Sequence, residues 1–233
     1  LRGQYGGYQP SVIGGGDSTG YTITVTFTFD WYASAAEEQQ VNAKVASILS
    51  NLNLPKDASA YDKVQAVYDY LCTNVKYDYT HLNDENYTKK FTAYGALIDG
   101  TSVCQGYEVA FYRLALELGV DNRVITGAGY NGSSWEKHAW NIARIGSRYY
   151  NLDSTWDSNY TPATYRYFLK CNNDFANHAR DSERHDSAFD TAYPMATSSF
   201  VPCGDAHTPG TPWYLAKPTC TKDGTLITDC SNC

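Results

Sequence analysis

Between residues 21 and 29 apolar and polar side chains alternate, with Ile23, Val25, Phe27 and Phe29 on one face and threonines on the other. A period of two predicts a half-buried strand. The period then lengthens. Ser34-Ala35-Ala36-Glu37 has the form of a capping box, in which a Ser hydroxyl and a Glu three residues on satisfy each other's free amides. Val41, Val45, Ile48 and Leu52 follow at helical spacing, and Pro55 closes the segment. A second box, Ser59-Ala60-Tyr61-Asp62, opens a helix with the stripe Tyr61, Val64, Tyr68, Leu71 and Val75. Residues 81–90 are polar and predict a surface loop. A third helix is expected from about 103 to 118, ended by Gly119, which tolerates the left-handed backbone of a helix C-terminus. Beyond it the period returns to two, and 123–126, 139–145 and 149–152 read as short strands with Gly-rich turns between them. From Tyr193 onward Pro194, Pro202, Pro209, Pro212 and Pro218 accumulate. The expected organisation is a flexible lead-in over 1–20, one domain over 21–194 and a Pro/Cys-rich tail over 195–233, the tail being part of a small cysteine module. Helices first and a sheet afterwards is the pattern of an α+β fold.

Composition adds what the pattern leaves open. The chain has 233 residues, 42% hydrophobic and 15% aromatic, which is enough to bury a core. Its net charge is −7 with no basic cluster, which argues against nucleic acid or an anionic membrane surface as partner. No apolar run approaches the roughly 18 residues of a membrane span, so no membrane insertion is expected. Leu1-Arg2-Gly3-Gln4 has no signal-peptide character and reads as a truncated or processed start. Few lysines, a single Met and many Tyr, Asn, Thr and Ser suggest a secreted or cell-surface protein. The seven cysteines are an odd count, so disulfides alone leave one over.

Candidate chemistry centres on Cys104. Ser102-Val103-Cys104-Gln105 reads as a third capping box, placing Cys104 in the first turn of the third helix. Free N–H groups and the positive end of the helix dipole there favour a thiolate, the nucleophilic form. Gly106 would leave room for a substrate backbone. Tyr107, Phe111, Leu114 and Leu118 bury the helix along the same side, giving a rigid mount. A small cysteine filling core space is the alternative. His138 opens one strand, and Asp153 lies near the end of its hairpin partner, where cross-strand pairing brings the two within reach. Taken singly, His138 reads as a core histidine and Asp153 as a turn or cap residue. Together with Cys104 they meet the needs of acyl transfer: a thiolate attacks a carbonyl, His moves the proton, and Asp orients the ring.

These motifs carry a resemblance. Thr92-Ala93-Tyr94-Gly95-Ala96-Leu97 with Gly100-Thr101-Ser102-Val103-Cys104-Gln105-Gly106-Tyr107 is similar to the cysteine motif of the transglutaminase-like superfamily. His138-Ala139-Trp140-Asn141 and Tyr150-Asn151-Leu152-Asp153-Ser154-Thr155-Trp156-Asp157 resemble its His and Asp motifs, in that order, and the helix over 61–77 resembles its approach helix. The likeness covers about 21–194. It implies a transglutaminase-like, papain-like cysteine protease fold of α+β class, with the nucleophile at a helix N-terminus packed on an antiparallel sheet. It further implies Cys104 as nucleophile, His138 as general base and acid, and Asp153 as orienting acid. The activity implied is acyl transfer or hydrolysis on peptide or glutamine amides through a thioester. Water as acceptor gives a peptidase or deamidase. A primary amine as second substrate gives a transglutaminase. Bacterial secreted members are the expected relatives. A cell-surface peptide-binding module that keeps the fold without chemistry, and an amidase related to peptide N-glycanases, are the alternatives. The Cys104 N–H is a natural oxyanion donor and a second is required. Tyr94 is a candidate for it, with packing as its other reading. Trp140 and Trp156 wall the groove or belong to the core.

No cofactor is expected for catalysis, and no calcium loop of the family is recognisable. Asp181, Glu183, Arg184, His185 and Asp186 read as a solvated charged face, and His178 with them. His81 reads as a solvent-exposed residue of the polar loop, and Gly14-Gly15-Gly16 precedes a strand, so it fails the context of a nucleotide loop. In the tail, Cys230 and Cys233 at Cys-x2-Cys spacing, with His207 and Cys220, make a candidate structural zinc site, with Cys203 as a rival ligand. Disulfides are the alternative.

Overall fold

The computed structural model describes residues 5–158, 164–202, 209–216, 218 and 224–230. Strand β1 (Tyr5–Asp17) pairs antiparallel with β2 (Gly20–Trp31), with Val12 opposite Val25. The flexible lead-in expected over 1–20 is thus corrected over its described part. A Gly-rich stretch without alternation of its own becomes a strand because β2 satisfies its backbone, and the expected boundary falls at the hairpin turn. Half-burial of 21–29 is corrected too. Ile23, Val25 and Phe27 are 61%, 49% and 52% exposed. Alternation reports that two faces differ, not that a second layer covers one of them, and here the aromatic rings of Tyr5, Phe29 and Trp31 pack on each other instead.

Two of the three serine-led boxes form as the spacing predicts. The Ser34 hydroxyl accepts the Glu37 N–H, and the Glu37 carboxylate accepts the Ser34 N–H at 2.8 Å, at the start of α1 (Ala35–Asn51). Ser59 and Asp62 repeat the exchange at α2 (Ala60–Asn74). These helices bury Val41, Val45, Ile48, Val64, Tyr68 and Leu71 against one another and against a central helix. Between them and that helix run β3 (Lys76–Tyr77) and β4 (Thr101–Ser102), a short parallel pair with Tyr77 opposite Ser102. The central helix, α3 (Cys104–Glu117), is buried on nearly every side, through Tyr107, Phe111 and Leu114 among others, and ends before Gly119 at φ +77°. Each such side chain contributes roughly 2 kcal/mol by leaving water, so α3 is the best-anchored element near the site.

A four-stranded antiparallel sheet follows, in the order β7 (Arg148–Leu152), β6 (Trp135–Ile145), β5 (Asn122–Tyr130), β8 (His178–Arg180). One face packs on α3, where the Asn141 amide donates to the Glu108 carbonyl at 3.1 Å. The other covers a second core of Ile125, Trp140, Ile142, Tyr149 and Phe175. A short helix, α4 (Ser154–Asp157), follows β7, and α5 (Ser187–Ala192) follows β8. The result is the α+β arrangement expected, with a helix N-terminus packed on an antiparallel sheet.

The expected start of the tail at 195 is moved. Ala196 N–H donates to the Tyr149 carbonyl, Phe200 N–H donates to that of Leu169, and the Phe200 ring stacks on Tyr61 at 5.1 Å, so the chain remains docked to that point. Farther on, β9 (Pro209–Ala216) pairs with β10 (Thr225–Cys230). Of the candidate zinc ligands, His207, Cys220 and Cys233 lie outside the described residues, as does Cys203. Cys230 is described only as a position in β10.

Candidate active site

Cys104 is the first residue of α3. The third capping box does not form. Val103 holds the N-cap position in extended conformation without a side-chain bond, while the Ser102 hydroxyl donates to the Lys90 carbonyl at 2.7 Å. The helix begins one residue later than a Ser102 cap requires, so no side chain covers the end where Cys104 sits. Gly106 does not face substrate either. A Cβ there would overlap Ser102 Oγ and lie 2.9 Å from the Thr92 carbonyl oxygen, so the glycine lets α3 seat against the chain beneath it.

His138 stands on β6 opposite Gly127 of β5. The glycines of β5 explain how a ring fits there. A Cβ at Gly129 would lie 2.8 Å from the Trp156 ring and 3.2 Å from His138 Cδ2. Asp153 follows β7 and caps α4, its Oδ1 accepting the Trp156 N–H at 3.0 Å. Its other oxygen, Oδ2, lies 2.8 Å from His138 Nε2. Asp153 thus caps α4 with one oxygen and meets His138 with the other. With Nε2 engaged, His138 Nδ1 is left for Cys104, whose thiol is a hydrogen-bond partner of this ring. Trp156 stacks on the ring at 4.9 Å.

Charge follows from this packing. Burial alone would favour neutral His138, but the Asp153 charge and hydrogen bond, with Cys104 behind them, raise its pKa to about 10. Burial of Asp153 likewise favours the protonated acid and is overcome by His138 and then His178, which hold it well below the usual carboxylate range. Glu108, one turn along α3 from Cys104, goes the other way. Burial, then the proximity of Cys104 and Asp153, push its carboxyl pKa well up and favour the neutral acid. Its Oε1 accepts the Thr155 hydroxyl at 3.0 Å, and its Oε2 is buried without a partner.

The expectation that His178 belongs to a solvated face is overturned. Its side chain is fully buried, with Nε2 3.0 Å from the same Asp153 Oδ2 that serves His138. Phe175 stacks on it at 3.8 Å, and Trp140 meets it edge-on at 5.0 Å. His138, Asp153 and His178 bring three possible ligand atoms within 4.8 Å of one another. An ionised carboxylate only accepts, however, so both Nε2 atoms carry hydrogens toward it and neither offers a lone pair to a metal.

Cys104 and His138 open onto a cavity of about 780 Å³. Tyr77, Leu82, Phe91 and Val103 form its helical side, and Thr126, Ala128 and Lys137 lie on the sheet side, with Arg184 beyond. Tyr94 is not part of it. Its hydroxyl points to Gln40 at 3.5 Å and its ring carries the Lys89 ammonium at 4.6 Å, so the oxyanion reading of Tyr94 is replaced by the packing one. Trp140 is also a core residue, fully buried, with its N–H on Asn151 at 3.2 Å. Trp156 backs His138 rather than lining the cavity.

The loop on the helical side is held from within. Lys90, expected on a surface loop, is 2% exposed, and its ammonium donates to the carbonyls of His81, Leu82 and Asp84 at 2.7, 3.0 and 2.7 Å. His81, also expected in solvent, is partly exposed, bonds Asp78 at 2.9 Å and stacks on Tyr87.

The family model described as the transglutaminase-like superfamily matches residues 50–154, a span that holds Cys104, His138 and Asp153. Kyphoscoliosis peptidase of Mus musculus is 26% identical over 157 residues, 63% of this chain and 23% of that protein. Its Homo sapiens counterpart is 27% identical over 139 residues, 55% of this chain and 20% of that protein. The chain thus spans less than a quarter of the length of either relative. A solved structure described as a TGase aligns with a TM-score of 0.46 at 16% identity, over 64% of this chain and 45% of that one.

Proposed function

Since residues 50–154 belong to the transglutaminase-like superfamily, we propose that the protein is a cysteine-dependent acyl-transfer enzyme acting on peptide or glutamine amides. The observation that carries this reading is the 2.8 Å bond from His138 to buried Asp153, with Cys104 as the ring's other hydrogen-bond partner at the mouth of a cavity. The Cys104 thiolate attacks the amide carbonyl. A carbon–sulfur bond forms and the carbonyl oxygen becomes an oxyanion. The Cys104 N–H at the uncapped helix start donates to that oxygen. The Tyr77 hydroxyl, across the β3–β4 ladder and on the cavity wall, is the second donor. Burial, then the neighbouring Cys104, push the Tyr77 pKa up, so the hydroxyl keeps its proton. Collapse breaks the carbon–nitrogen bond as His138 passes its proton to the leaving amine, and a thioester remains. Water then attacks, His138 taking its proton, and the acid leaves with the thiolate restored. The acceptor favoured here is water, in keeping with the peptidase names of the curated relatives. A primary amine in its place would give transamidation.

The test is intact-mass labelling with p-nitrophenyl acetate and, separately, with iodoacetamide. Wild type is expected to take one acetyl group at Cys104 and release it over time. Cys104→Ala should take none, and His138→Ala should react at least about a hundredfold more slowly. A wild-type Cys104 that reacts no faster than a free thiol would overturn the reading in favour of a binding module that keeps the fold.

A further inference from the structure

Among the buried ionisable side chains that the reaction does not use, His178 is the one bonded to its acid. His178 comes from β8, pairs across from Gly129 of β5, and shares a single oxygen of Asp153 with His138. Nothing about the fold of β8 demands a histidine there, and an apolar ring would fill the box of Phe175, Trp140 and Trp156 equally well. A polar ring placed in such a box must satisfy its nitrogens. Nε2 does so on Asp153; Nδ1 lies 3.0 Å from Asn177 Oδ1, so the neutral ring goes with the Asn177 amide turned to donate its N–H to Nδ1 and accept the Tyr167 hydroxyl with its oxygen. Burial lowers the His178 pKa, with Asp153 opposing, which favours the neutral ring, and the carboxylate beside Nε2 draws its hydrogen there.

We propose that His178 is a positioning residue, a neutral N–H donor that fixes the Asp153 carboxylate and limits how tightly that carboxylate holds the proton on His138. An acceptor oxygen already engaged by one donor is a weaker acceptor for the next, and the positive end of the His178 N–H dipole lies beside the His138 imidazolium. Both effects loosen the His138 proton. A histidine that must hand a proton to a leaving amine and take one from water works best when its pKa is near the working pH, and a lone buried Asp partner pulls it far above. Other titratable groups around the triad are Cys104 and Glu108 of α3, Tyr68 and Cys72 of α2, and Tyr167. None of these, as neutral groups, donates to Oδ2.

The test reads the rings directly. With only five histidines, two-bond proton–nitrogen spectra resolve each ring and report its tautomer and titration. Wild-type His178 is expected to be neutral with hydrogen on Nε2 from pH 7 to 9. A cationic ring, or hydrogen on Nδ1 alone, overturns the proposal without any substitution. His178→Phe, which removes the donor and keeps the packing, should move the His138 midpoint up by roughly half a pH unit or more. His178→Gln, which keeps a donor, should restore it. A His138 midpoint that is unchanged or lower in His178→Phe, or the same in both variants, overturns the proposal. If His178→Phe does not fold, the His178 tautomer and the His178→Gln midpoint decide. Only the link to proton transfer rests on the acyl-transfer reading above. A wild type that fails to acylate while its rings titrate as expected refutes the acyl-transfer reading and leaves this one standing.

Discussion

Replacing Glu108 by Gln is expected to make the protein more stable, and increasingly so as pH rises. The carboxyl is buried on α3 one turn from Cys104, its Oε2 has no partner, and burial with the neighbouring Cys104 and Asp153 raises its pKa and favours the neutral acid in the fold. In the unfolded chain a glutamate ionises above about pH 4.3. Between that point and its folded pKa the unfolded state binds fewer protons than the folded one, so stability falls as pH rises. While the folded carboxyl keeps its proton the slope is about 1.36 kcal/mol per pH unit, which caps the change from pH 6 to pH 8 at about 2.7 kcal/mol. Gln is nearly isosteric, keeps an acceptor for the Thr155 hydroxyl, and never has to take up a proton. Other groups, His138 included, titrate in both proteins and cancel in the difference. Urea unfolding of wild type and Glu108→Gln at pH 6, 7 and 8, extrapolated linearly to water, measures that difference. A gap that widens with pH, by up to about 2.7 kcal/mol over the range, bears out the reasoning. A gap that does not change with pH refutes it, since the carboxylate would then be ionised in the fold.

Other perturbations probe different parts of the site. Tyr77→Phe should slow acylation by p-nitrophenyl acetate about a hundredfold, yet leave alkylation by iodoacetamide unchanged, because alkylation passes through no oxyanion; equal slowing, or none, in the two assays removes Tyr77 from the oxyanion site. Lys90→Met leaves three carbonyls of the 81–84 turn without their donor and should cost about 3 kcal/mol in urea unfolding. A loss within error of zero would mean that water replaces the ammonium. Gly106→Ala should destabilise by about 3 kcal/mol, since its Cβ meets Ser102 Oγ and the Thr92 backbone. Wild-type stability in that variant would show that the seat of α3 is not tight.

What could be read from the chain alone was whatever depends on neighbours in sequence. The Ser34 and Ser59 caps are local exchanges three residues long, and both were legible. Cys104, His138 and Asp153 each sit in a distinctive string of residues, and their order along the chain was as informative as their identity. His178 escaped because its partner is 25 residues away and its box is built from β6, α4 and the 173–175 turn. Nearby, only the charged run after 180 carries a local signal, and that signal points to solvent. Lys90 escaped for a different reason: its partners are main-chain carbonyls, which any sequence supplies. The Ser102 box misled because a Ser-x-x-Gln spacing is necessary for the motif but does not decide on which residue the helix begins. Strand β1 was hidden because its pairing is set by β2, not by a pattern of its own.

Asp153 answers to two requirements at once, and they have different stereochemistry. As cap of α4 it must place an oxygen on an amide three residues ahead, which a side chain of one methylene does and a longer one does not. As partner of His138 it must be charged. Asn would keep the helix start and lose the charge, whereas Glu would keep the charge and displace the oxygen. The position therefore admits one amino acid out of twenty, although each demand alone admits several. Any redesign of the loop between β7 and α4 that moves the helix start also moves the acid. The geometry of the His138–Asp153 pair is tied to the folding of a single four-residue turn.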